Sequence, residues 1–282
     1  MDQLVTYLKQ GTHFALYFNA HRQPIVHDYP WLPAFVIPFY LLVVYLGPKI
    51  MANREPFRIK GLLKAYNFFL SFASLCMCIG MAIPVFTFLN TRGFYELVCM
   101  PEGELYYGFA FFCIWLFALS KYLELFDTVA LILEKKEIIF LHWYHHATVL
   151  AYTWFSLVIL TPPGAIFAVV NTFVHTIMYW YYYLSATGYR APWARMVTLI
   201  QLIQMVVGIV TSSAWTYFYL TGVKCPMTHP QSYMYSTLAI YVTYFLLFFQ
   251  LYVERYHKPK AAAAAAAAKA AADKTAKPVK AD

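Results

Sequence analysis

The stretch that decides the fold, residues 108–160, reads GFAFFCIWLFALSKYLELFDTVALIL, EKKE and IIFLHWYHHATVLAYTWFSLVIL in succession. Its two apolar parts, residues 108–133 and 139–160, each exceed the roughly 20 residues that a helix needs to cross a bilayer. The charged tetrapeptide 134–137 lies between them. We therefore predict two membrane-spanning helices that form an antiparallel hairpin.

The rest of the chain continues this pattern. Of its 282 residues, 61% are hydrophobic and only 12% are charged, whereas about 25% of the residues of a soluble domain are charged. The predicted membrane spans are 31–51, 63–89, 108–133, 139–160, 165–186, 196–221 and 233–253. The composition thus predicts an all-α, polytopic membrane protein with about seven transmembrane helices.

Basic residues are distributed unequally between the two sides of this predicted bundle. If the N-terminus lies outside the cytosol, most of the 21 Lys and Arg residues fall in cytosolic loops and in the C-terminal tail, as the positive-inside rule requires. We therefore predict a lumenal N-terminal segment (residues 1–30) and a low-complexity cytosolic tail (residues 258–282) that builds no core. The net charge of +8 is then a topology signal, and no nucleic-acid partner is predicted.

The five cysteines divide into two groups. Cys76, Cys78 and Cys113 fall inside predicted spans and are interpreted as packing residues. Cys99 and Cys225 fall in two loops on the same predicted lumenal side. An oxidising lumen favours a disulfide bond between them, with two free lumenal thiols as the alternative.

Polar side chains recur at helical spacing in four of the spans. Such residues are costly inside a membrane and are functional candidates by default. The sets are Lys121, Glu124 and Asp127; His142, His145 and His146; Asn171, His175 and Tyr179; and Thr198, Gln201 and Gln204. Steps of three and four place each set on one helix face. All four lie toward the predicted cytosolic ends, which indicates a polar chamber above an apolar compartment, suited to an amphiphile.

Each set also has a purely structural interpretation. A membrane histidine is often a packing hydrogen bond, Lys121, Glu124 and Asp127 suit an ion-pair network, and glutamines commonly join helices. The sets do, however, belong to four sequence boxes in a defined order. These boxes are KxxExxDT at 121–128, HxxHH at 142–146, NxxxHxxMYxYY at 171–182 and TxxQxxQ at 198–204. Together they resemble the boxes of the very-long-chain fatty-acid elongases, over residues from about 30 to 257.

This resemblance implies a fold and a reaction. It implies a seven-helix transmembrane elongase domain at residues 31–257, with six helices enclosing a substrate tunnel, in the endoplasmic reticulum membrane. It implies condensation of acyl-CoA with malonyl-CoA to 3-ketoacyl-CoA, with loss of CO2 and CoA. The Trp143-Tyr144 pair resembles the branch that acts on saturated and monounsaturated chains. Implied partners are membrane lipid and other enzymes of the elongation cycle; no tightly bound cofactor and no metal are expected.

The residues themselves favour an imidazole nucleophile. No cysteine falls in the cytosolic halves of the catalytic spans, and a neutral histidine can attack a thioester to give an acyl-imidazole. We expect His145 to be the nucleophile, with His142 and His146 orienting it or moving protons.

The remaining polar residues are expected to serve this step. His175 and Asn171 are expected to stabilise the oxyanion or the enolate, and Glu124 or Asp127 to fix a histidine tautomer between the third and fourth spans. The predicted substrate-binding residues are Lys121, Glu124, Asp127, Asn171, Tyr179, Tyr182, Gln201 and Gln204.

Two other functions fit parts of the pattern. A membrane diiron desaturase or hydroxylase also uses histidine boxes, but it needs more cytosolic histidines than His142, His145, His146, His175 and His257. The others, His13, His21, His27 and His229, are predicted to be lumenal. A seven-span transporter would show helices broken at mid-span, whereas Pro84, the clearest such residue, lies toward the lumenal end of its span.

Overall fold

A computed structural model describes Phe18, Ile25, Val26 and residues 28–99, 104–189, 191–222, 225 and 231–257. Within these residues the secondary structure is helical. In chain order the helices are α1 (Leu32–Met51), α2 (Lys60–Cys99), a 3-10 turn (Glu104–Tyr106), α3 (Gly108–Glu124), α4 (Phe126–Leu133), α5 (Phe140–Val158), α6 (Gly164–Thr187), α7 (Ala194–Leu220) and α8 (Gln231–Tyr256).

The prediction of an all-α polytopic membrane protein is confirmed. Five helical segments are long and apolar enough to cross a membrane: α1, α2, the α3–α4 pair taken together, α7 and α8. The other two predicted spans correspond to α5 and α6, helices of 19 and 24 residues that are not among these five.

The helix ends agree with the predicted spans to within about three residues, with one exception. Helix α2 continues to Cys99, although the polar residues that follow Leu89 suggested an earlier end. Its course is interrupted at Gly93, where φ is +85°. Glycine has no Cβ to oppose this backbone conformation, so the helix changes direction there and resumes.

Two close helix pairs frame the bundle. Helix α2 runs antiparallel to α6, with the Ser71 hydroxyl donating to the carbonyl of Thr176 (2.8 Å) and the Cys78 thiol to that of Val169 (3.9 Å). Helices α7 and α8 approach so closely that a Cβ on Gly208 would overlap the ring of Tyr241. The two pairs also contact each other, α6 against α7, and α5 packs against α1, α3 and α8.

One end of the bundle, where α2 ends and α8 begins, is closed by a disulfide bond between Cys99 and Cys225. We call this the disulfide end and the opposite end, where α5 begins, the His-box end. The disulfide packs with Val98, Trp215 and Met234, all buried. The free cysteines among the described residues are Cys76, Cys78 and Cys113.

The N-terminal segment contributes to the core at the same end. Phe18 is buried against the rings of Phe111, Phe112 and Trp115, and its carbonyl accepts a hydrogen bond from the backbone N–H of Gly108. Most of the predicted lumenal segment 1–30 and the whole predicted tail 258–282 lie outside the described residues.

The disulfide bond is expected to stabilise the fold strongly, because it joins cysteines 126 positions apart and so restricts the unfolded chain. We predict that Cys99→Ser lowers the free energy of unfolding by about 2–5 kcal/mol, measured as thermal unfolding in detergent. Cys76→Ser, which removes an exposed thiol, is the control. Alkylation of all five cysteines in the unreduced protein would contradict the assignment.

Candidate active site

The polar residues of α3 and its continuation α4 pair with those of α6 in a ladder of three contacts. Lys121 Nζ donates to Asn171 Oδ1 (2.8 Å), and Glu124 Oε1 lies 3.4 Å from His175 Nδ1. The hydroxyl of Tyr179 donates to Asp127 Oδ2 (2.7 Å). The numbers of the contacting residues rise together along both helices, so α3 and α6 run parallel. This is required of the third and fifth membrane spans of one chain, which cross the membrane in the same direction.

The ladder requires a local change in helix geometry at Leu125. The ladder residues are three apart along α3 and α4 but four apart along α6. Three residues of an α-helix rise about 4.5 Å and four rise about 6 Å, so successive contacts would not stay level between two regular α-helices. At Leu125, between α3 and α4, backbone hydrogen bonds run from residue i to i−3, from Leu125 to Tyr122 and from Thr128 to Leu125. This tighter winding rises about 2 Å per residue, which brings the step from Glu124 to Asp127 closer to that of α6.

The ladder also contains a fully buried ion pair. The side chains of Lys121 and Glu124 are only 1% and 3% exposed, and Lys121 Nζ donates to Glu124 Oε1 at 2.7 Å. The hydroxyl of Ser120 donates to the same carboxylate oxygen at 3.1 Å. Two charges so deep in an apolar bundle persist only when each neutralises the other.

On α5, the first histidine of the HxxHH box is held by a hydroxyl chain. Thr128 Oγ1 lies 2.8 Å from His142 Nε2 and 2.9 Å from the hydroxyl of Tyr40 on α1. The expectation that Glu124 or Asp127 fixes a histidine of this helix is therefore wrong. Both carboxylates turn toward α6, and the next residue along, Thr128, contacts α5 instead.

The other two histidines of the box point in different directions. His145 is half-buried, and its ring lies 5.0 Å from that of Tyr244 and 6.2 Å from that of Phe248, both on α8. His146 is buried, its ring lies 4.5 Å from that of His142, and its Nδ1 makes no hydrogen bond. His146 thus links His142 and His145 within the box.

A cavity runs through the bundle from His145 toward the disulfide end. Side chains of α3, α5, α6, α7 and α8 line it, and α2 packs against α6. The lining includes His145, Asn171 and Gln204 at the His-box side and Tyr106, Ser156 and Thr161 at the other. The HxxHH box therefore contributes one histidine, His145, to the surface of the cavity.

The predicted site residues thus fall into three places. His145, Asn171 and Gln204 line the cavity, and Lys121, Glu124, Asp127, His175 and Tyr179 belong to the ladder. His142 and His146 lie behind His145, whereas Tyr182 is exposed beside Tyr179 and Gln201 contacts the sulfur of Met178. Tyr182 and Gln201 are therefore the two predicted site residues that belong neither to the cavity lining, nor to the ladder, nor to the rings of the HxxHH box.

Three further residues belong to the site although sequence reasoning gave them no role. Thr128 was visible as the last residue of its box. Tyr40 and Tyr244 carried no signal, because each is an ordinary aromatic residue on an apolar helix. Tyr244 lines the cavity beside His145, and its hydroxyl lies 2.6 Å from that of Thr148.

Comparison with known proteins identifies the class. Residues 25–264 match the model of the ELO (GNS1/SUR4) family. The chain is 36% identical to fatty acid elongase 3 of Trypanosoma brucei over 262 residues, covering 83% of this chain and 86% of that protein. It is 34% identical to very long chain fatty acid elongase 3 of Homo sapiens over 259 residues, covering 91% and 93%.

A similar level of identity, 33% over 241 residues, is found with very long chain fatty acid elongase 6 of Drosophila melanogaster, covering 84% of this chain and 76% of that protein. A polytopic helical enzyme of fatty acid elongation is the class that these findings define. The chain belongs to the ELO family. Neither the desaturase nor the transporter alternative is supported.

Removal of one partner of the buried ion pair is expected to destabilise the protein. Glu124→Gln leaves the Lys121 charge without compensation, and we predict a loss of about 3–5 kcal/mol in the free energy of unfolding, measured by thermal unfolding in detergent. The double variant Lys121→Met/Glu124→Gln is expected to recover part of this loss, because no charge then remains.

The control for this prediction is the exposed pair of Lys136 and Glu134, in which the lysine side chain is 60% exposed. Lys136→Met is expected to change stability by less than about 1 kcal/mol. A double variant no more stable than Glu124→Gln would show that the charge imbalance is not the cause.

Proposed function

We propose that this elongase is a 3-oxoacyl-CoA synthase that condenses an acyl-CoA with malonyl-CoA through an acyl-histidine intermediate. The observation that carries the proposal is the position of His145. Among the described residues that line the cavity it is the one histidine, and the cavity extends from it past mostly apolar side chains. An acyl chain lying in that cavity would present its thioester to the imidazole.

The first half-reaction would transfer the acyl group to the enzyme. A nitrogen of neutral His145 attacks the thioester carbonyl, the new C–N bond forms, and the C–S bond breaks to release CoA as its thiol. The imidazole N–H proton of His145 would pass to the departing thiolate, directly or through the neighbouring rings, of which His146 lies 5.5 Å from His145 and 4.5 Å from His142, centroid to centroid. Thr128 then orients His142 at the end of this path.

The second half-reaction would form the carbon–carbon bond. Malonyl-CoA loses its free carboxyl group as CO2, and the electron pair of the broken bond attacks the acyl carbonyl. The C–N bond to His145 then breaks, and the leaving nitrogen takes up one proton from water, which restores the neutral imidazole and releases 3-ketoacyl-CoA. No external oxidant or reductant enters this sequence, and no tightly bound cofactor is proposed.

The ladder would stabilise the negative charge that develops on the carbonyl oxygen. Asn171 lines the cavity, and its Oδ1 already accepts a hydrogen bond from Lys121. This leaves the Nδ2 amide group as a donor for an oxyanion. Gln204, which is buried and also lines the cavity, provides a second amide at the same level.

We further propose that the protein resides in the endoplasmic reticulum membrane with its N-terminus in the lumen and its C-terminus in the cytosol. The disulfide bond supports this orientation, because its end of the bundle would face the oxidising compartment. The His-box end would then face cytosolic acyl-CoA and malonyl-CoA. Other enzymes of the elongation cycle would reduce and dehydrate the 3-keto product.

The acyl-histidine intermediate can be trapped directly. Purified protein incubated with an acyl-CoA but no malonyl-CoA is expected to carry one acyl group on the peptide that contains His145, detected by mass spectrometry. Later addition of malonyl-CoA should discharge it with equal amounts of CO2 and 3-ketoacyl-CoA. His145→Ala should abolish adduct formation, whereas His257→Ala, at the exposed end of α8, should leave it intact. An undiminished adduct in His145→Ala would disprove the assignment of the nucleophile.

Gly164 is expected to limit product length. A Cβ at this position would lie 3.5 Å from Ser156 Oγ and 3.7 Å from the hydroxyl of Tyr106, at the far end of the cavity. We predict that Gly164→Leu shortens the longest product by roughly two to four carbons, the length of the added side chain, as measured by chromatography of products. Gly61→Leu, where a Cβ meets no atom within 4 Å, is the control. If Gly164→Leu leaves the distribution of product lengths unchanged, the closed end of the cavity lies elsewhere.

A further inference from the structure

The imidazole of His145 is held in the cavity wall by aromatic rings and not by a hydrogen bond. Within the described part of the chain, neither of its ring nitrogens has a hydrogen-bond partner. The rings that flank it belong to His146, Tyr244 and Phe248, at 5.5, 5.0 and 6.2 Å between centroids. Tyr244 is thus the nearest of these rings, and a different helix, α8, brings it against the imidazole.

The hydroxyl of Tyr244 is fixed to α5, one turn beyond His145. It lies 2.6 Å from Thr148 Oγ1. The Thr148 hydroxyl donates to the carbonyl of Tyr144, one turn back on α5, at 2.6 Å, and a threonine hydroxyl has no second proton to donate. The hydrogen bond between the two hydroxyls therefore runs from Tyr244 to Thr148.

This anchor places the Tyr244 ring in the frame of the helix that carries the proposed nucleophile. His145 and Thr148 are three residues apart and so are neighbours on the surface of α5. Tyr244 is buried, and aromatic rings with centroids roughly 4.5–7 Å apart attract each other by about 0.5–1.5 kcal/mol. The ring is therefore a stop against which the imidazole rests, although its own backbone belongs to α8.

We propose that Tyr244 is a positioning residue for the acylation step, with Thr148 as its anchor. The inference rests on the proposed function, since it takes His145 as the nucleophile. The ring of Tyr244 holds the imidazole at the distance and angle that attack on a thioester carbonyl requires, and the hydroxyl pair holds the ring. Neither Tyr244 nor Thr148 forms a bond or exchanges a proton with the substrate, so both act through His145.

Loss of the hydroxyl pair is expected to slow acylation without weakening substrate binding. Tyr244→Phe keeps the ring but removes its anchor, and a misplacement of about 1 Å costs up to about 10²-fold in rate. We predict that adduct formation with palmitoyl-CoA becomes roughly tenfold slower. The palmitoyl-CoA concentration that gives half the maximal rate is expected to change by less than about twofold. Rapid quenching and mass spectrometry of the peptide that contains His145 measure both.

Variants of Thr148 identify the bond that is responsible. Thr148→Val is expected to reproduce the roughly tenfold loss, whereas Thr148→Ser keeps a hydroxyl and is expected to retain most of the rate. The double variant Tyr244→Phe/Thr148→Val should be no slower than either single variant, because both changes remove the same bond. Losses that multiply in the double variant would overturn the proposal.

Thr237→Val is the matched control. The Tyr152 hydroxyl on α5 donates to Thr237 on α8 at 3.2 Å, so this pair also joins the two helices through hydroxyl groups. It lies nearer to the floor of the cavity, which is the end lined by Tyr106, Ser156 and Thr161. Its acylation rate is expected to stay within about twofold of that of the unmodified protein, because the change is remote from the nucleophile.

Two results would overturn the role of Tyr244. One is an acylation rate in Tyr244→Phe equal to that of the unmodified protein. The other is an equal loss in Thr237→Val, which would show that any weakening between α5 and α8 slows acylation. Rates are compared well below the unfolding midpoint of every variant, so that loss of folded protein does not enter. Absence of any adduct on the unmodified protein would instead refute the proposed function itself.

Discussion

The buried ion pair between Lys121 and Glu124 is the constraint on which the rest of the site depends. Neither charge could remain in an apolar bundle alone, because the desolvation of an isolated ion exceeds any packing gain. Each therefore has to be satisfied by the other and by α6, where Asn171 and His175 lie against them. The need to neutralise two charges thus sets the register of α3 against α6.

That register has a consequence for α5. The tighter winding at Leu125 turns Asp127 toward α6 and Thr128 toward α5. Asp127 and Thr128, which are consecutive residues of one box, therefore contact two different helices. An unbroken α-helix would also place these two residues on separate faces, but at a different height along the helix axis. Through Thr128 the ladder is joined to His142. The ring of His142 lies next to that of His146, which in turn lies next to that of His145. A rearrangement of the ion pair would reach the proposed nucleophile along this route.

The cavity shows how the same bundle can hold an amphiphile. Its His-box side offers an imidazole and two amides, its middle section is mainly apolar, and its floor is again polar. Apolar surface stabilises a chain without regard to direction, whereas the polar groups at the two ends are directional and fix where a chain begins and where it stops. Selectivity for chain length would therefore arise at the floor and not along the walls.

Much of this architecture is determined by the sequence alone, because hydropathy, charge bias and helical spacing are local properties. The membrane spans, the four polar sets and the sharing of one helix face all follow from residues within a few turns of each other. The loop positions of Cys99 and Cys225 likewise indicated their pairing, since both were assigned to one compartment. The family boxes added the reaction, because their order along the chain is specific.

What the tertiary structure decided are the contacts between helices distant in sequence. Tyr40 bonds to Thr128 across 88 positions, and no periodicity in α1 distinguishes it from the other aromatic residues there. The same holds for the partners of Glu124 and Asp127: spacing showed that the two residues share a face, but only the assembled bundle shows that this face meets α6. The physical reason is that hydropathy acts residue by residue, whereas a hydrogen bond depends on two groups meeting in space.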